Sequence, residues 1–228
     1  MTLRFGMLVF PSVQQLDLSG PYEIFASVPA AEMHLIWKDR RPLNSATGLI
    51  LTPTTTFHDC PELDVLCIPG GSGVNALLED QMVLDFIRLR APAVRYLTSV
   101  CTGALVLGAA GLLTGRRATT HWNALDFLER LGAVVVPERV VCDGNLITAG
   151  GVTSGIDFGL TVIAALLGED EARTIQLALE YAPEPPFGTG TPREAPSRIL
   201  ASARARMAGS RAERELILER IAARPQPA

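Results

Sequence analysis

Of the four cysteines in the chain, Cys101 alone stands where a sulfur nucleophile belongs. The apolar run 94–100 leads directly into it, and Thr102-Gly103-Ala104 opens a stretch of small residues at once. A strand passing into a helix through so short a link turns sharply, and Gly103 and Ala104 keep that turn free of bulk. This is the logic of a nucleophile elbow, with Cys in the place of Ser and without the full G-x-S-x-G pattern. Such an elbow exposes the sulfur at the carboxyl end of a sheet and at a helix N-terminus, whose partial positive charge favours a thiolate. An ordinary strand-to-helix link with a buried cysteine has the same spacing, so partners must decide. The other cysteines have duller settings: Cys67 inside Val65-Leu66-Cys67-Ile68 reads as core, Cys60 as a loop residue beside Pro61, and Cys142 as a strand end.

Three further segments supply candidate partners. Pro69-Gly70-Gly71-Ser72-Gly73 follows a core strand, and its glycines let backbone N–H groups point into a site. Together with the Thr102 N–H, a donor here could stabilise negative charge on a substrate. The loop has neither G-K-[ST] nor G-x-G-x-x-G, so a nucleotide phosphate site is disfavoured, while a plain tight turn fits equally well. Asp17 sits between Leu16 and Leu18, where an acid either caps the following helix or works in a site. His121-Trp122 ends a short strand; Cys101, His121 and an acid could form a triad, and Trp122 could wall an apolar pocket, but structural roles suit both.

These residues need a scaffold, and composition shows that the chain can build one. Hydrophobic residues make up 48% and charged residues 19% of 228, enough to bury a large core and too apolar for disorder. The net charge of −4 gives no footprint for nucleic acid. No apolar run approaches the roughly 20 residues that span a bilayer, and the first residues lack the basic and apolar regions of a signal peptide. A cytoplasmic location is therefore expected, with free thiols. The cysteine spacings match no zinc pattern, so neither metal nor cofactor is expected.

The apolar and turn signals place strands at 3–10, 33–38, 65–68, 94–100, 118–120, 134–136, 139–141 and 146–149. Helices are expected at 22–27, opened by Gly20-Pro21, and at 82–89, 103–113, 124–131, 154–167, 170–181 and 195–223. The Thr-rich stretch 49–57 reads as an edge hairpin or ribbon, and Asp143-Gly144-Asn145 as a hairpin turn. Residues 183–188, with three prolines, cannot be helical. Strands alternating with helices imply an α/β fold, a flavodoxin-like, mostly parallel sheet with helices on both faces. One domain is expected over 1–228, with a core at about 3–168 and a helical C-terminal extension at 169–228.

Taken together, Asp17, Pro69-Gly70-Gly71 and the elbow at Cys101 resemble the ThiJ/PfpI branch of the class I glutamine amidotransferase-like superfamily. Within it, the chain is similar to the isocyanide hydratase family. The strings that carry this are Val13-Gln14-Gln15-Leu16-Asp17-Leu18, Ser99-Val100-Cys101-Thr102-Gly103, Arg117-Ala118-Thr119-Thr120-His121-Trp122, Gly155-Ile156-Asp157-Phe158 and the run from Leu179 to Phe187. The resemblance implies a homodimeric, metal-free hydratase that turns R–N≡C into R–NH–CHO. It makes Cys101 the nucleophile and Asp17 the proton carrier. Backbone N–H groups of Gly71 and Thr102 then position water or hold the developing charge, with His121 and Trp122 at the substrate pocket. Asp17 and Cys101 are expected to share one proton, held on Asp17 and donated toward sulfur. The helices around 154–181, the proline segment and the last helix are expected at a dimer interface.

Departures limit other members of the superfamily. Protease-like members place His directly after the cysteine, where this chain has Thr102. Members related to the parkinsonism protein and to glyoxalases carry Glu in place of Asp17. Asp17 and the string ending at Trp122 are shared with the sensing domains of some AraC-type regulators, which continue into a DNA-binding domain not expected here. The competing readings are a glyoxalase-like enzyme using Cys101 with His121, and a non-enzymatic sensor that responds to oxidation of Cys101.

Overall fold

A computed structural model describes residues 2–223. In chain order the first half holds β1 (Arg4–Leu8), α1 (Gln15–Ala26), β2 (Glu32–Trp37), β3 (Leu43–Asn44), β4 (Ile50–Leu51), β5 (Thr55–Thr56), β6 (Val65–Ile68), α2 (Val74–Leu77), α3 (Gln81–Arg90) and β7 (Tyr96–Val100). The second half holds α4 (Gly103–Ala109), β8 (Arg117–Ala118), a 3-10 turn at Trp122–Ala124, α5 (Leu125–Arg130), β9 (Val134–Val135), β10 (Val140–Asp143) and β11 (Leu146–Ala149). It ends with α6 (Ser154–Leu167), α7 (Glu169–Ala178) and α8 (Ser197–Ala222).

Seven strands form one sheet in the order β10-β11-β7-β6-β1-β2-β5. Every pair in it is parallel except β10 with β11. The central strands are mostly apolar and nearly all their residues are buried, because both faces are covered. On β6, Leu66 and Ile68 point to one core and Val65 and Cys67 to the other. One core takes residues of α2, α3, α4, α5 and the end of α8. The other takes α1, α6 and α7, with Phe25 stacked on Phe5 and edge-on to Phe158. Chain order departs in opposite directions from β1, to β2 on one side and β6 on the other. That switch point, at the carboxyl ends of β1, β6 and β7, is where open α/β sheets bind ligands.

The α/β reading and the elbow strand are as expected, but several boundaries differ. α1 begins at Gln15, not at Tyr22, and encloses Pro21. A proline at its seventh position deprives only the Asp17 carbonyl of a helical donor, so the helix tolerates it. Asp17 therefore lies in the first turn and is no N-cap. The 49–57 stretch is no hairpin: β4 pairs back onto β3, while β5, beyond Pro53, joins the sheet edge beside β2. α4 stops at Ala109, before Gly111 takes φ +79°. The short α2 had no distinct signal in the sequence.

Candidate active site

Three loops meet at the switch point. The turn after β1 carries Ser12 at φ +62°, and Val13 bridges Gly71 in antiparallel fashion. Gln14 N–H donates to the Gly70 carbonyl at 2.8 Å, and Gly73 N–H to the Ser12 carbonyl at 3.2 Å. These bonds zip the loop after β6 to the start of α1 and bring Asp17 beneath it. Gly70 N–H donates to Asp17 Oδ2 at 3.0 Å. A Cβ on Gly70 would stand 2.6 to 2.7 Å from Thr102 N, Asp17 Oδ2 and Thr102 Oγ1, so only glycine allows this approach.

From the other side β7 delivers Cys101 at φ +54°, a left-handed conformation that a non-glycine residue adopts at a cost of about 1 kcal/mol or more. Its surroundings hold it there: Cys101 N–H donates to the Ala149 carbonyl at 3.0 Å, and Thr120 Oγ1 donates to the Cys101 carbonyl at 2.7 Å. Gly103 makes the turn possible, since a Cβ on it would lie 1.9 Å from the Ile68 carbonyl oxygen. Gly71 N–H donates to Thr102 Oγ1 at 3.1 Å. The loop's two leading N–H groups are thus engaged, one on Asp17 and one on Thr102, and the Gly71 N–H is not left open to a substrate.

Asp17 is fully buried and Cys101 is 6% exposed. Burial pushes the Asp17 carboxyl up to about 7, against the hydrogen bonds of Cys101 and Gly70 that favour its charged form. Asp17 Oδ1 is buried and takes no hydrogen bond from any described group. Burial first, and the Asp17 charge second, push the Cys101 thiol well above its ordinary value; the Thr102 N–H and hydroxyl act the other way. Burial thus raises the affinity of both groups for a proton, and the state this site favours holds one proton between them.

A cavity of about 240 Å³ opens at Cys101. Gln14, Gly71 and Thr102 form its floor, His121 and Val152 a wall, and Arg206, Ser210 and Arg214 of α8 its roof. His121 Nδ1 accepts the Asn123 N–H at 3.2 Å and so caps the 3-10 turn, which leaves the proton on Nε2. Burial, then the nearby Arg214, lower its proton affinity, so it is neutral at pH 7. Trp122 is outside this cavity; it faces two open grooves beside it, one of them shared with the exposed segment 190–194. The structure therefore brings together Asp17, Gly71, Cys101, Thr102 and His121, but not Trp122.

Sequence reasoning missed Arg214 and Asn75. Arg214 is 5% exposed and its Nε donates to Asn75 Oδ1 at 2.9 Å. A signal existed: Arg214 stands three and four residues before Ile217 and Leu218, hence on the same helical face, and both of those are buried. No group of His, Cys, Asp and Glu among the described residues is arranged to hold a metal ion.

Comparison with known proteins adds the lineage of this arrangement. The family model described as the DJ-1/PfpI family matches residues 4–165. The isonitrile hydratase of Pseudomonas putida is 59% identical over 224 residues, 98% of either chain. Among solved structures, a ThiJ/PfpI family protein from Pseudomonas syringae superposes with a TM-score of 0.92 at 40% identity, covering 96% of this chain and 91% of that one. Drosophila melanogaster DJ-1beta superposes with a TM-score of 0.74 at 21% identity, over 80% of this chain and all of that one, and shares the fold.

Proposed function

The chain belongs to the DJ-1/PfpI family, and from that membership we propose an isocyanide hydratase that converts N-substituted isocyanides into N-substituted formamides. The observation that carries the reading is the buried acid–thiol pair of Asp17 and Cys101 on a left-handed elbow. Likeness to the P. putida isonitrile hydratase over nearly all of both chains supplies the substrate class.

The chemistry asks for a nucleophile and a proton at one carbon. The Cys101 sulfur bonds to the terminal carbon of R–N≡C, and its proton passes to the Asp17 carboxylate. Asp17 then delivers that proton to the same carbon, giving the thioimidate R–N=CH–S–Cys101 with Asp17 ionised again. Water adds to this carbon as Asp17 takes one of its protons and passes it to the nitrogen, giving R–NH–CH(OH)–S–Cys101 with Asp17 ionised. Collapse of the adduct breaks the C–S bond, leaves R–NH–CHO, and returns the hydroxyl proton to sulfur through Asp17. The Thr102 N–H and hydroxyl stabilise charge as it forms on sulfur. The Gly71 N–H acts through Thr102 Oγ1, orienting that hydroxyl instead of binding the substrate oxygen itself. His121 lines the cavity as a neutral donor, and no cofactor or metal takes part.

A glyoxalase-like reading needs His121 as base at Cys101, yet the groups acting on the thiol are Asp17 and Thr102. A sensor that works through oxidation of Cys101 needs an exposed, acidic thiol, and this one is buried and pushed up by that burial. We further place the enzyme in the cytoplasm, a reading supported by four free cysteines, and read it as a homodimer. The exposed Leu177 and Phe187, at α7 and on the proline segment, support contact with a second copy.

Steady-state formamide production from a simple aryl isocyanide tests the reaction. Wild type is expected to turn over and Cys101→Ala to fall by at least about 10³-fold. Equal rates in both would end the assignment of the nucleophile.

A further inference from the structure

The proposed reaction uses no group on α8, yet α8 puts a guanidinium in the roof of the cavity at Cys101. The lining of that cavity contains two arginines, Arg206 and Arg214, and no carboxylate. Arg206 is exposed at the mouth, while Arg214 is 95% removed from solvent and lines the same cavity as Cys101. A buried cation is costly unless an anion or several hydrogen bonds compensate it.

Compensation here is partial. Arg214 Nε donates to Asn75 Oδ1 at 2.9 Å, and Nη2 donates to Ser210 Oγ at 3.4 Å. The nearest acid is already used: Glu213 Oε2 accepts from Asn75 Nδ2 at 2.7 Å, and Asn75 Nδ2 also donates to the Ser210 carbonyl at 3.0 Å. Asp126 is likewise paired, with Arg211. Glu213 and Asp126 act on Arg214 only at longer range, Arg211 opposes them, and Arg214 makes no ion pair among the described residues. Asn75 thus fixes the orientation of the fork and leaves most of its five donors free. A planar fork held above a nucleophile, in a cavity with no acid, is built to receive a carboxylate.

We propose that Arg214 selects the substrate by pairing with a carboxylate on the isocyanide's substituent, so that small isocyano acids are the preferred substrates. This rests on the hydratase reading and deepens it. A cavity of about 240 Å³ suits a molecule of that size, with the isocyanide carbon at Cys101 and the acid at the roof. Arg206 at the mouth adds attraction for an incoming anion.

The test compares 2-isocyanoacetate with its methyl ester, which keeps the isocyanide and removes the charge. Wild type is expected to favour the acid by at least tenfold in kcat/KM, mainly through KM. In Arg214→Met the acid-to-ester ratio is expected to fall to about one whatever the change in absolute rate, and Arg214→Lys should keep part of the preference. A merely structural arginine would depress both substrates together and leave their ratio unchanged. If Arg214→Met does not fold, the wild-type ratio alone decides. Hydration of the ester with no preference for the acid overturns the role of Arg214 and leaves the hydratase intact. Turnover of neither compound, nor of the aryl isocyanide, overturns the hydratase reading and this substrate class with it.

Discussion

Asp17 is held by the fold in a state that a free carboxyl avoids. Its affinity for a proton is raised to about 7 by burial, so at neutral pH it accepts and releases protons readily. The active form of the pair holds one proton between carboxyl and thiol. Below about pH 7 both groups are filled, and neither is free to accept a proton. kcat/KM is therefore expected to rise with pH through about 7 and then level, and Asp17→Asn should lose both the rise and most of the activity. A pH–rate profile of wild type without an acid limb near 7 would contradict this. The same residue has a stability signature. A carboxyl with a raised folded value costs nothing below its unfolded value of 3.8, and its cost is complete above about 7. Three pKa units correspond to about 4 kcal/mol. Asp17→Asn is thus expected to melt higher than wild type at pH 8, with the difference shrinking toward pH 4. Thermal unfolding at both values checks it; a variant destabilised equally at both would show that Asp17 is structural.

At the scale of elements, the site depends on two close approaches of backbone. α4 starts so near the end of β6 that a Cβ on Gly103 would meet the Ile68 carbonyl at 1.9 Å. Gly103→Ala is expected to destabilise by about 3 kcal/mol and to cut activity further than folding alone explains, because it displaces Cys101 and Thr102. Unfolding in denaturant and kcat measured on the folded fraction separate the two effects. The elbow was legible in sequence because a run of apolar residues ends at Cys101 and small residues follow at once. The central strands were legible for a like reason: apolar-rich runs, most of them ended by glycine or proline. Asp17 drew attention as an acid between two leucines, yet its helix was misplaced, since Pro21 reads as a helix opener and only the packing against α6 fixes it inside α1. The engagement of the Gly71 N–H with Thr102 could not be read, because it depends on a contact between loops 31 residues apart in sequence. Trp122 was read with His121 as one unit; their rings do lie 5.3 Å apart, but only His121 lines the cavity at Cys101.

Over the whole molecule, α8 joins the extension to the core. It packs Ile217 and Leu218 against the same core as α2 and α5, at about 2 kcal/mol each, and lays Arg211 over Phe127. We read residues 3–168 and 169–223 accordingly as one domain, with the last helix completing the cavity that the sheet begins. None of the described helices is long and apolar enough to cross a membrane. The sheet's switch point, the two zipped loops and the roof then serve one purpose: to bury a thiol and an acid together beside a small polar cavity. The most direct test of that account is the intact mass of the protein quenched during turnover of an aryl isocyanide. Wild type is expected to gain the full mass of the isocyanide on the peptide containing Cys101, since the proton stays within the adduct, and Cys101→Ala to gain nothing. Formamide production with no adduct at Cys101, and with turnover preserved in Cys101→Ala, would contradict it.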